Sequence, residues 1–364
     1  SPRSALQFLE RFHDEKQEPS VIGHAVIRPD TPALAGLARI NRALVGAVQK
    51  HRPEKVATID IDASVHPCRK REALPAYEGG RAYQPLTAVW AERRFLLEDE
   101  FRDGNVPAGM GNLPFVQRVH TNLPKSIQKI FVRADTALYE QDVLAYLVKE
   151  HIEFAISADI TQQLRKAIEA VPKAAWHPVR DDEGVIREEG RLWAEVEYVP
   201  EDKRPGEGKP LRYLAIHLPQ QGDLFDAPRA RYVAIVSNRW ELPGNDLINW
   251  QRKKCGTIEY MHDLLKNDFA ARSFPSGKFG SNAAWYRFNV LANNLLVACA
   301  TLGFEDTTWK KIRPTTFAFR FLRRAGRVVS HAGGLFLMLS TLSAGLIEIY
   351  TGARAALAAV AGGG

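Results

Sequence analysis

Cysteine is scarce in this chain. Only three cysteines occur among its 364 residues, and they stand far apart, at Cys68, Cys255 and Cys299. That spacing offers neither a zinc site nor a disulfide framework, so we expect a protein of the reducing cytoplasm.

Several recognisable signals are also absent. No signal peptide opens the chain, and the most apolar run, residues 332–347, is shorter than the roughly 18 to 20 residues that span a bilayer. We interpret that run as a buried core helix and expect no membrane partner. The chain has no Walker loop, no dinucleotide-binding glycine pattern and no Ser-His-Asp order. We therefore expect no nucleotide cofactor.

What the chain does have is an excess of positive charge. Its 49 lysines and arginines outnumber 42 aspartates and glutamates, which gives a formal net charge of +7. This balance favours a polyanionic partner such as nucleic acid. The length allows two or three domains with a sizeable core.

The order of the predicted elements indicates an α/β protein. Strands predicted at residues 55–62, 129–135 and 153–157 alternate with helices, which indicates parallel pairing. Residues 173–242 change to short strands, and helices are predicted at 243–269, 281–302 and across 315–350. We predict five segments: a helical N-terminal region at 1–54, interpreted as the end of a DNA-binding region, a first core part at 55–172, a β-strand insertion at 173–242, a second core part at 243–310, and a basic and apolar helical region at 311–364.

The segment TIDIDAS, residues 58–64, carries the first candidate site. Its alternating pattern places Asp60 and Asp62 on the same face of a strand, roughly 7 Å apart. Neighbouring carboxylates repel each other unless a cation lies between them, and Mg²⁺ prefers such oxygen ligands. The residues of this segment alone fit a metal site and a solvated acidic strand end equally well.

Two further carboxylates stand in comparable contexts. Asp135 ends a predicted strand, and Glu259 lies within the predicted helix 243–269. Because neighbouring strands end at one edge of a sheet, we expect Asp62 and Asp135 to meet, with Glu259 supplied by a helix packed across that edge. Three carboxylates together suit two Mg²⁺ ions and in-line attack on a phosphodiester.

The helix around Glu259 carries a charged stripe. Arg252 and Lys266 lie seven residues before and after Glu259, two turns away on the same face. Basic side chains in that position are suited to bind phosphates. Gly256 costs about 1 kcal/mol against alanine in a helix interior, which suggests close approach of another backbone. The alternative is a solvated helix face with unrelated charges.

On these segments the chain resembles the bacterial insertion-sequence transposases of the DDE type, in particular those with a DDE transposase domain of group 1. The resemblance covers roughly residues 55–310. It is carried, in order, by TIDIDAS at 58–64, EGGRAYQPL at 78–86, DEFRDGNVPAGMGN at 99–112, FVRADTALYE at 131–140, FAISADI at 154–160, AEVEY at 194–198, GTIEYMHDLLKN at 256–267 and SNAAWYRFNVLANNLL at 281–296.

The resemblance implies a ribonuclease H-like fold: a mixed sheet flanked by helices, with an antiparallel β insertion before the last acidic residue and helical extensions at both ends. It also implies a Mg²⁺-dependent enzyme, with Mn²⁺ as a substitute, that cuts and joins transposon ends. Asp62, Asp135 and Glu259 correspond to the catalytic metal ligands. Asp60 stays an alternative to Asp62 and a candidate fourth ligand.

A signature on the last helix of related transposases is only partly present. Glu259 and Lys266 match it, but Cys255 occupies the position of its arginine. The residues that remain candidates for the missing phosphate contact are Arg252, Lys253 and Lys254.

Two tryptophans and one acidic cluster need separate interpretations. Some relatives stack a flipped base on an aromatic residue of the insertion, so Trp193 and Trp240 are candidate DNA contacts, with core packing as the alternative. We interpret one acidic cluster as a solvated turn rather than a metal site; it comprises Glu98, Asp99, Glu100 and Asp103.

The implied partner is double-stranded DNA with terminal inverted repeats, bound by a homodimer in the bacterial cytoplasm, at the nucleoid. The chain begins at Ser1, and we expect a further DNA-binding segment upstream. Two other functions remain open: a catalytically inactive DNA-binding protein descended from a transposase, and a ribonuclease H-like nuclease that cuts without joining.

Overall fold

A computed structural model describes residues 1–18, 24–70, 72–200, 210–219, 231–304, 312–323, 326–339 and 344–362. The α-helices are α1 (Pro2–Glu10), α2 (Pro32–His51), α3 (Asn112–Asn122), α4 (Gln141–Lys149), α5 (Gln162–Glu169), α6 (Gly244–Lys254), α7 (Tyr260–Asp263), α8 (Phe279–Gly303), α9 (Pro314–Phe317) and α10 (Ala344–Gly362). Three π-helical turns comprise Cys255–Glu259, Leu264–Asp268 and Ala318–Leu322.

The β-strands are mostly short. They are β1 (Val56–Ala63), β2 (His66–Pro67), β3 (Ala82–Tyr83), β4 (Leu86–Trp90), β5 (Phe95–Glu100), β6 (Lys129–Ala134), β7 (Glu153–Ala158), β8 (His177–Pro178), β9 (Leu192–Val196), β10 (Arg212–Leu218), β11 (Arg231–Ser237), β12 (Gly326–His331) and β13 (Gly334–Leu339).

One mixed sheet organises the molecule. Its strand order is β5-β4-β1-β6-β7-β11-β10-β9-β8. Strands β1, β6 and β7 run parallel, whereas β4 is antiparallel to both β1 and β5. This confirms the predicted parallel pairing and the ribonuclease H-like fold, a mixed sheet flanked by helices.

The strands of residues 173–242 lengthen this sheet instead of forming a separate one. Strand β11 pairs with β7 in antiparallel fashion, and β10, β9 and β8 follow in turn, each antiparallel to its neighbour. Their face packs against α6 through a small apolar core formed by Ala155, Leu214, Ile216, Ile235, Leu247 and Ile248. The long helix α6 is therefore supported by strands that the insertion supplies.

The two faces of β1 have different surroundings. Ile59 and Ile61 are fully buried in the larger core, which also includes side chains of α3, α4 and α5. Because side chains alternate along a strand, Asp60 and Asp62 point to the opposite face. On that face Lys254, the last residue of α6, contacts Asp62. The polar face of β1 is thus the one that α6 crosses.

Strand β5 is the last strand on one side of the sheet, and two asparagines cover it. The side-chain nitrogens of Asn41 in α2 and Asn294 in α8 donate to the carbonyl oxygen of Leu96 at 2.8 Å and 2.7 Å. Asn294 Oδ1 accepts from the Leu96 amide at 3.0 Å. The main-chain groups of Leu96 are therefore bonded within the chain.

The acidic cluster predicted to be a solvated turn is a buried strand, so that prediction is wrong. Glu98, Asp99 and Glu100 lie in β5, and each is less than a tenth exposed. Arginines distant in the sequence neutralise the cluster: Arg287 Nε lies 2.9 Å from Asp99, and Arg28 Nε lies 2.6 Å from Asp103. Partners so far along the chain could not be inferred from local pattern.

The C-terminal region also differs from the prediction. Where further helices were expected within 315–350, β12 and β13 form an antiparallel hairpin. Ala332 and Gly333 both have positive φ, the conformation of a tight hairpin turn. Leu335 is 80% exposed, so residues 334–339 do not form a buried core helix. None of the helices in the described ranges is long and apolar enough to cross a bilayer.

Candidate functional site

Asp62 and Asp135 lie side by side where β1 and β6 end. Ile61 pairs with Ala134 in the parallel register, so the next residue on each strand is an aspartate. Burial raises the pKa of Asp135, and the negative charge of Asp62 raises it further. The structure therefore brings these two predicted ligands together, and their mutual repulsion favours a cation between them.

Lys254 supplies a positive charge at this place. Its ammonium lies 3.1 Å from Asp62 Oδ2, and its side chain is only 8% exposed. Its charge also counteracts the rise in the pKa of Asp135. Lys254, predicted as a DNA contact, is thus turned inward to the carboxylates.

The two preceding basic residues point elsewhere. Lys253 Nζ lies 2.8 Å from Asp182, and an Arg252 guanidinium nitrogen lies 3.7 Å from Glu188. These carboxylates belong to the exposed loop that follows β8. Since all four side chains are about half exposed, the two pairs are accessible to solvent and to a competing phosphate.

Glu259 lies on the turn that follows Lys254. The helix changes from α to π after Lys254, and Glu259 ends the first π-helical turn with its side chain exposed. The thiol of Cys255 donates a hydrogen bond to Glu259, and burial raises the pKa of that thiol together with the charges of Glu259 and Asp62. Within the described residues, no three His, Cys, Asp or Glu side chains are close enough to hold a metal ion. Of the three predicted ligands, Asp62 and Asp135 therefore lie together. Glu259 lies on the helical turn that follows Lys254, apart from them.

Gly256 does not make the close backbone approach that we expected from its position. A Cβ atom built there would meet no described atom within 4 Å. The residue is exposed. The close approach in this helix occurs instead at Gly244, where a Cβ would overlap the Trp193 ring.

Asp60 is separated from this group by its own ion pair. It is fully buried, and its two carboxylate oxygens accept from Arg133 Nε at 2.6 Å and Nη2 at 2.8 Å. Burial raises the pKa of Asp60, and Arg133 opposes that rise. Because both oxygens are occupied, the geometry favours Asp62 over Asp60 as the first metal ligand.

Lys266 lies in the second π-helical turn and is half-buried. Burial lowers its pKa, while the carboxylates of Glu78 and Asp62 oppose that change. His262 lies four residues before Lys266, and its Nε2 is 2.9 Å from the Thr87 hydroxyl. That hydroxyl donates to the carbonyl oxygen of Asp62 at 3.2 Å. Lys266 thus lies on the same side of the molecule as the two aspartates.

The structure does not bring the two tryptophans to the carboxylates. Trp240 follows β11, whose C-terminal end pairs with the beginning of β7, so it lies at the opposite edge of the sheet from Asp62. Trp193 lies on β9, five strands from β1 and thus roughly 24 Å away. Its ring packs against α6 at Gly244, which agrees with the core-packing alternative.

Sequence reasoning missed one aromatic residue near the carboxylates. Tyr77 lies in the loop between β2 and β3, beyond the end of β1, and is 79% exposed. A hydrogen bond to Glu78 raises the pKa of Tyr77, and the charges of Asp135 and Asp62 contribute. The turn signal Gly79-Gly80 beside it was the available clue, because it predicts an exposed loop tip.

Comparisons with known proteins identify a family. The model of a family described as Transposase DDE domain group 1 matches residues 18–358. No curated protein matches the chain. Seven chains of solved structures match it. One is a cryo-EM structure of the piggyBac transposase synaptic complex with hairpin DNA, at a TM-score of 0.38 and 9% identity, covering 81% of this chain and 75% of that one.

Proposed function

The chain belongs to the family of transposases with a DDE domain of group 1, and we propose that it cuts DNA at transposon ends and joins those ends to new sites. The observation that supports this activity most directly is the pairing of Asp62 with Asp135. The two follow adjacent parallel strands in register, and the helix that carries Glu259 crosses the same edge of the sheet. We propose Asp62, Asp135 and Glu259 as the catalytic residues.

The donor set suits Mg²⁺, or Mn²⁺ as its substitute. All three side chains offer carboxylate oxygens, the ligands that hard divalent cations prefer. Asp62 and Asp135 are close enough for the charge of one to raise the pKa of the other, a repulsion that a bound cation relieves. Two such ions supply Lewis-acid stabilisation of the attacking and leaving oxygens of a phosphodiester.

Three basic residues of the helical segment that carries Glu259 are suited to hold the DNA backbone. Lys266 lies on the same side as Asp62 and is within the electrostatic influence of its carboxylate. Arg252 and Lys253 are held only by exposed ion pairs, and phosphates can replace the carboxylates of those pairs at little cost. We therefore propose Lys266, Arg252 and Lys253 as backbone contacts.

The proposed substrate is double-stranded DNA with terminal inverted repeats. Because two ends must be brought together before joining, we propose that the protein acts as a homodimer on DNA. We also propose that it acts in the bacterial cytoplasm, at the nucleoid, where such DNA would be found.

Glu259→Gln tests the catalytic proposal. The variant keeps the size of the side chain but removes a charged metal ligand, so we expect strand cleavage in Mg²⁺ to fall by more than the roughly 10- to 100-fold typical of residues that only support a ligand. DNA binding should stay within a factor of about two, because basic and polar side chains, not carboxylates, make the contacts to DNA phosphates. Cleavage of end-containing DNA and gel-shift affinity are the measurements.

Glu241→Gln is the matched control, because Glu241 is also an exposed glutamate but lies beyond β11 at the opposite sheet edge. Equal cleavage by Glu259→Gln and this control would contradict the proposal. DNA binding by the wild type with no cleavage in Mg²⁺ or Mn²⁺ would identify a non-catalytic DNA-binding protein. Cleavage without strand-transfer products would identify a nuclease.

A further inference from the structure

Lys254 differs from the basic residues that precede it. Of Arg252, Lys253 and Lys254, only Lys254 contacts a catalytic carboxylate, with 3.1 Å between its Nζ and Asp62 Oδ2. Its side chain is 8% exposed, whereas the other two are about half exposed. A residue whose main role was to bind the DNA backbone would be expected on the surface, so this burial needs another explanation.

The π-helical turn after Lys254 determines where Glu259 lies relative to Lys254. Each residue of an α-helix turns about 100°, so residues five apart point about 140° away from each other. In a π-helix the hydrogen bonds join residues five apart, and the turn Cys255–Glu259 has this form. Lys254 and Glu259 therefore lie one turn apart on the same side. The Cys255 thiol, which bonds to Glu259, accordingly lies within the electrostatic influence of both Lys254 and Asp62.

The charges around Lys254 are those of a cation site. Asp60 has its own partner, since Arg133 occupies both of its oxygens. Asp135 makes no ion pair of its own within the described part of the chain, and Lys254 is the cation that offsets its repulsion with Asp62. The ammonium thus contacts Asp62 and acts on Asp135 through its charge, and the same charge also reaches Asp60.

We propose that Lys254 is a built-in counter-ion that holds Asp62 and Asp135 together in the metal-free protein and is displaced when a divalent cation binds them. Lys254 is then a positioning residue: it keeps two repelling carboxylates in place and competes with the metal for them. The inference rests on the proposed function, in which the same carboxylates bind Mg²⁺. It replaces the earlier interpretation of Lys254 as a phosphate contact.

Metal binding without DNA tests this role. The variant Lys254→Met nearly keeps the length of the side chain and removes the charge that competes with the metal. The full-length variant should therefore bind Mn²⁺ roughly tenfold more tightly than the wild type, the lower end of what one charge in contact with a carboxylate contributes. The measurement is a titration of free Mn²⁺ by electron paramagnetic resonance. Lys253→Met is the matched control and should leave the affinity unchanged, because Lys253 pairs with Asp182.

A second variant covers the case in which Lys254→Met does not fold, and a second measurement tests whether Lys254 contacts DNA. If Lys254→Met does not fold, Lys254→Gln keeps a hydrogen-bond donor for Asp62 and should still tighten Mn²⁺ binding. In metal-free gel shifts, the salt dependence of DNA binding should be the same for Lys254→Met and wild type. A log-log slope reduced by about one would identify Lys254 as a phosphate contact and overturn the inference.

The inference and the proposed function fail in different ways. If Lys254→Met binds Mn²⁺ no more tightly than Lys253→Met while the wild type still cuts transposon ends, the counter-ion role is overturned and the function stands. Mn²⁺ binding that tightens in Lys254→Met, in a protein whose wild type never cuts DNA, would support the counter-ion role and contradict the function.

Discussion

Asp60 and Asp62 are two residues apart on one strand face, yet their environments are opposite. Asp60 is fully buried with Arg133, whereas Asp62 is partly exposed beside Lys254. The alternating pattern predicted that both point the same way, and they do. It could not predict which one receives an arginine, because Arg133 belongs to another strand. For this reason the sequence left Asp60 and Asp62 as alternatives.

Arg133→Met tests how much the buried ion pair of Arg133 with Asp60 contributes to the stability of the fold. The substitution leaves the Asp60 carboxylate buried without a cation, so we expect a loss of about 3–5 kcal/mol in the free energy of unfolding. Arg133 also donates to the carbonyl oxygen of Trp250 at 2.8 Å, so the variant should loosen α6 as well. Urea unfolding at neutral pH is the measurement.

Arg187→Met is the comparison for that variant. Arg187 also contacts two carboxylates, those of Asp181 and Glu183, but on the exposed loop, and its loss should have no measurable effect. The double variant Arg133→Met with Asp60→Leu should recover much of the lost stability, because no unpaired charge is then buried. A loss below about 1 kcal/mol in the single variant would show that Asp60 is held in another way.

At the scale of the element, the segment from Gly244 to Asp268 shows what periodicity can and cannot predict. A continuous helix was predicted at 243–269, and the chain is helical from Gly244 to Asp268. The periodicity did not predict the two π-helical turns Cys255–Glu259 and Leu264–Asp268, because such single turns interrupt an α-helix only locally. The unpredicted turn Cys255–Glu259 is the one that places Glu259 on the same side of the helix as Lys254.

Gly244→Ala should destabilise the protein at the beginning of α6. A Cβ at Gly244 would overlap the Trp193 ring, and such overpacking typically costs about 1–3 kcal/mol. Thermal or urea unfolding measures the effect. Adding Trp193→Leu should reduce it, because the smaller side chain vacates the space.

Gly256→Ala is the control within the same segment. A Cβ there meets no described atom within 4 Å, so the variant should be neutral or up to about 1 kcal/mol more stable, as expected for alanine in a helix. A larger loss at Gly256 than at Gly244 would show that the packing of this segment differs from the one described.

At the scale of the whole molecule, the sequence predicted the core sheet better than its extensions. The strands around Asp62 and Asp135 have strong alternation, and their order with the intervening helices implied parallel pairing. The sequence contained no signal that β11 would pair with β7, because other strands, and not a single crossover helix, lie between them along the chain. The hairpin β12–β13 was missed because its apolar residues resemble a helix when the turn at Ala332 and Gly333 is overlooked.

Global stability should fall in acid because of two buried histidines. Burial lowers the pKa of His66 and of His262 to about 3 from the ordinary value of 6.5, and the charge of Lys266 contributes in both. Between these two values the unfolded chain binds more protons than the native one. Stability is therefore complete above pH 6.5 and decreases below it, by about 2 kcal/mol per histidine at pH 5.

His66→Phe isolates one of these contributions. The difference in unfolding free energy between pH 7.5 and pH 5 should be about 2 kcal/mol smaller in the variant than in the wild type. Urea unfolding at the two pH values is the measurement. An unchanged difference would mean that His66 is protonated in the folded protein.

The side-chain amides of two asparagines, which bond to the main chain of β5, restrict how copies of this protein can associate. An uncovered outer strand offers its peptide groups to another polypeptide, which leads to intermolecular strand addition and to fibrils. Here Asn41 and Asn294 already bond to Leu96, and every residue of β5 is buried. A second copy therefore cannot pair with Leu96 to extend the sheet on this side, and among the described strands of this sheet such addition is left to β8, at its other end. A dimer of the kind we propose would otherwise form through helices, loops or the nucleic acid itself.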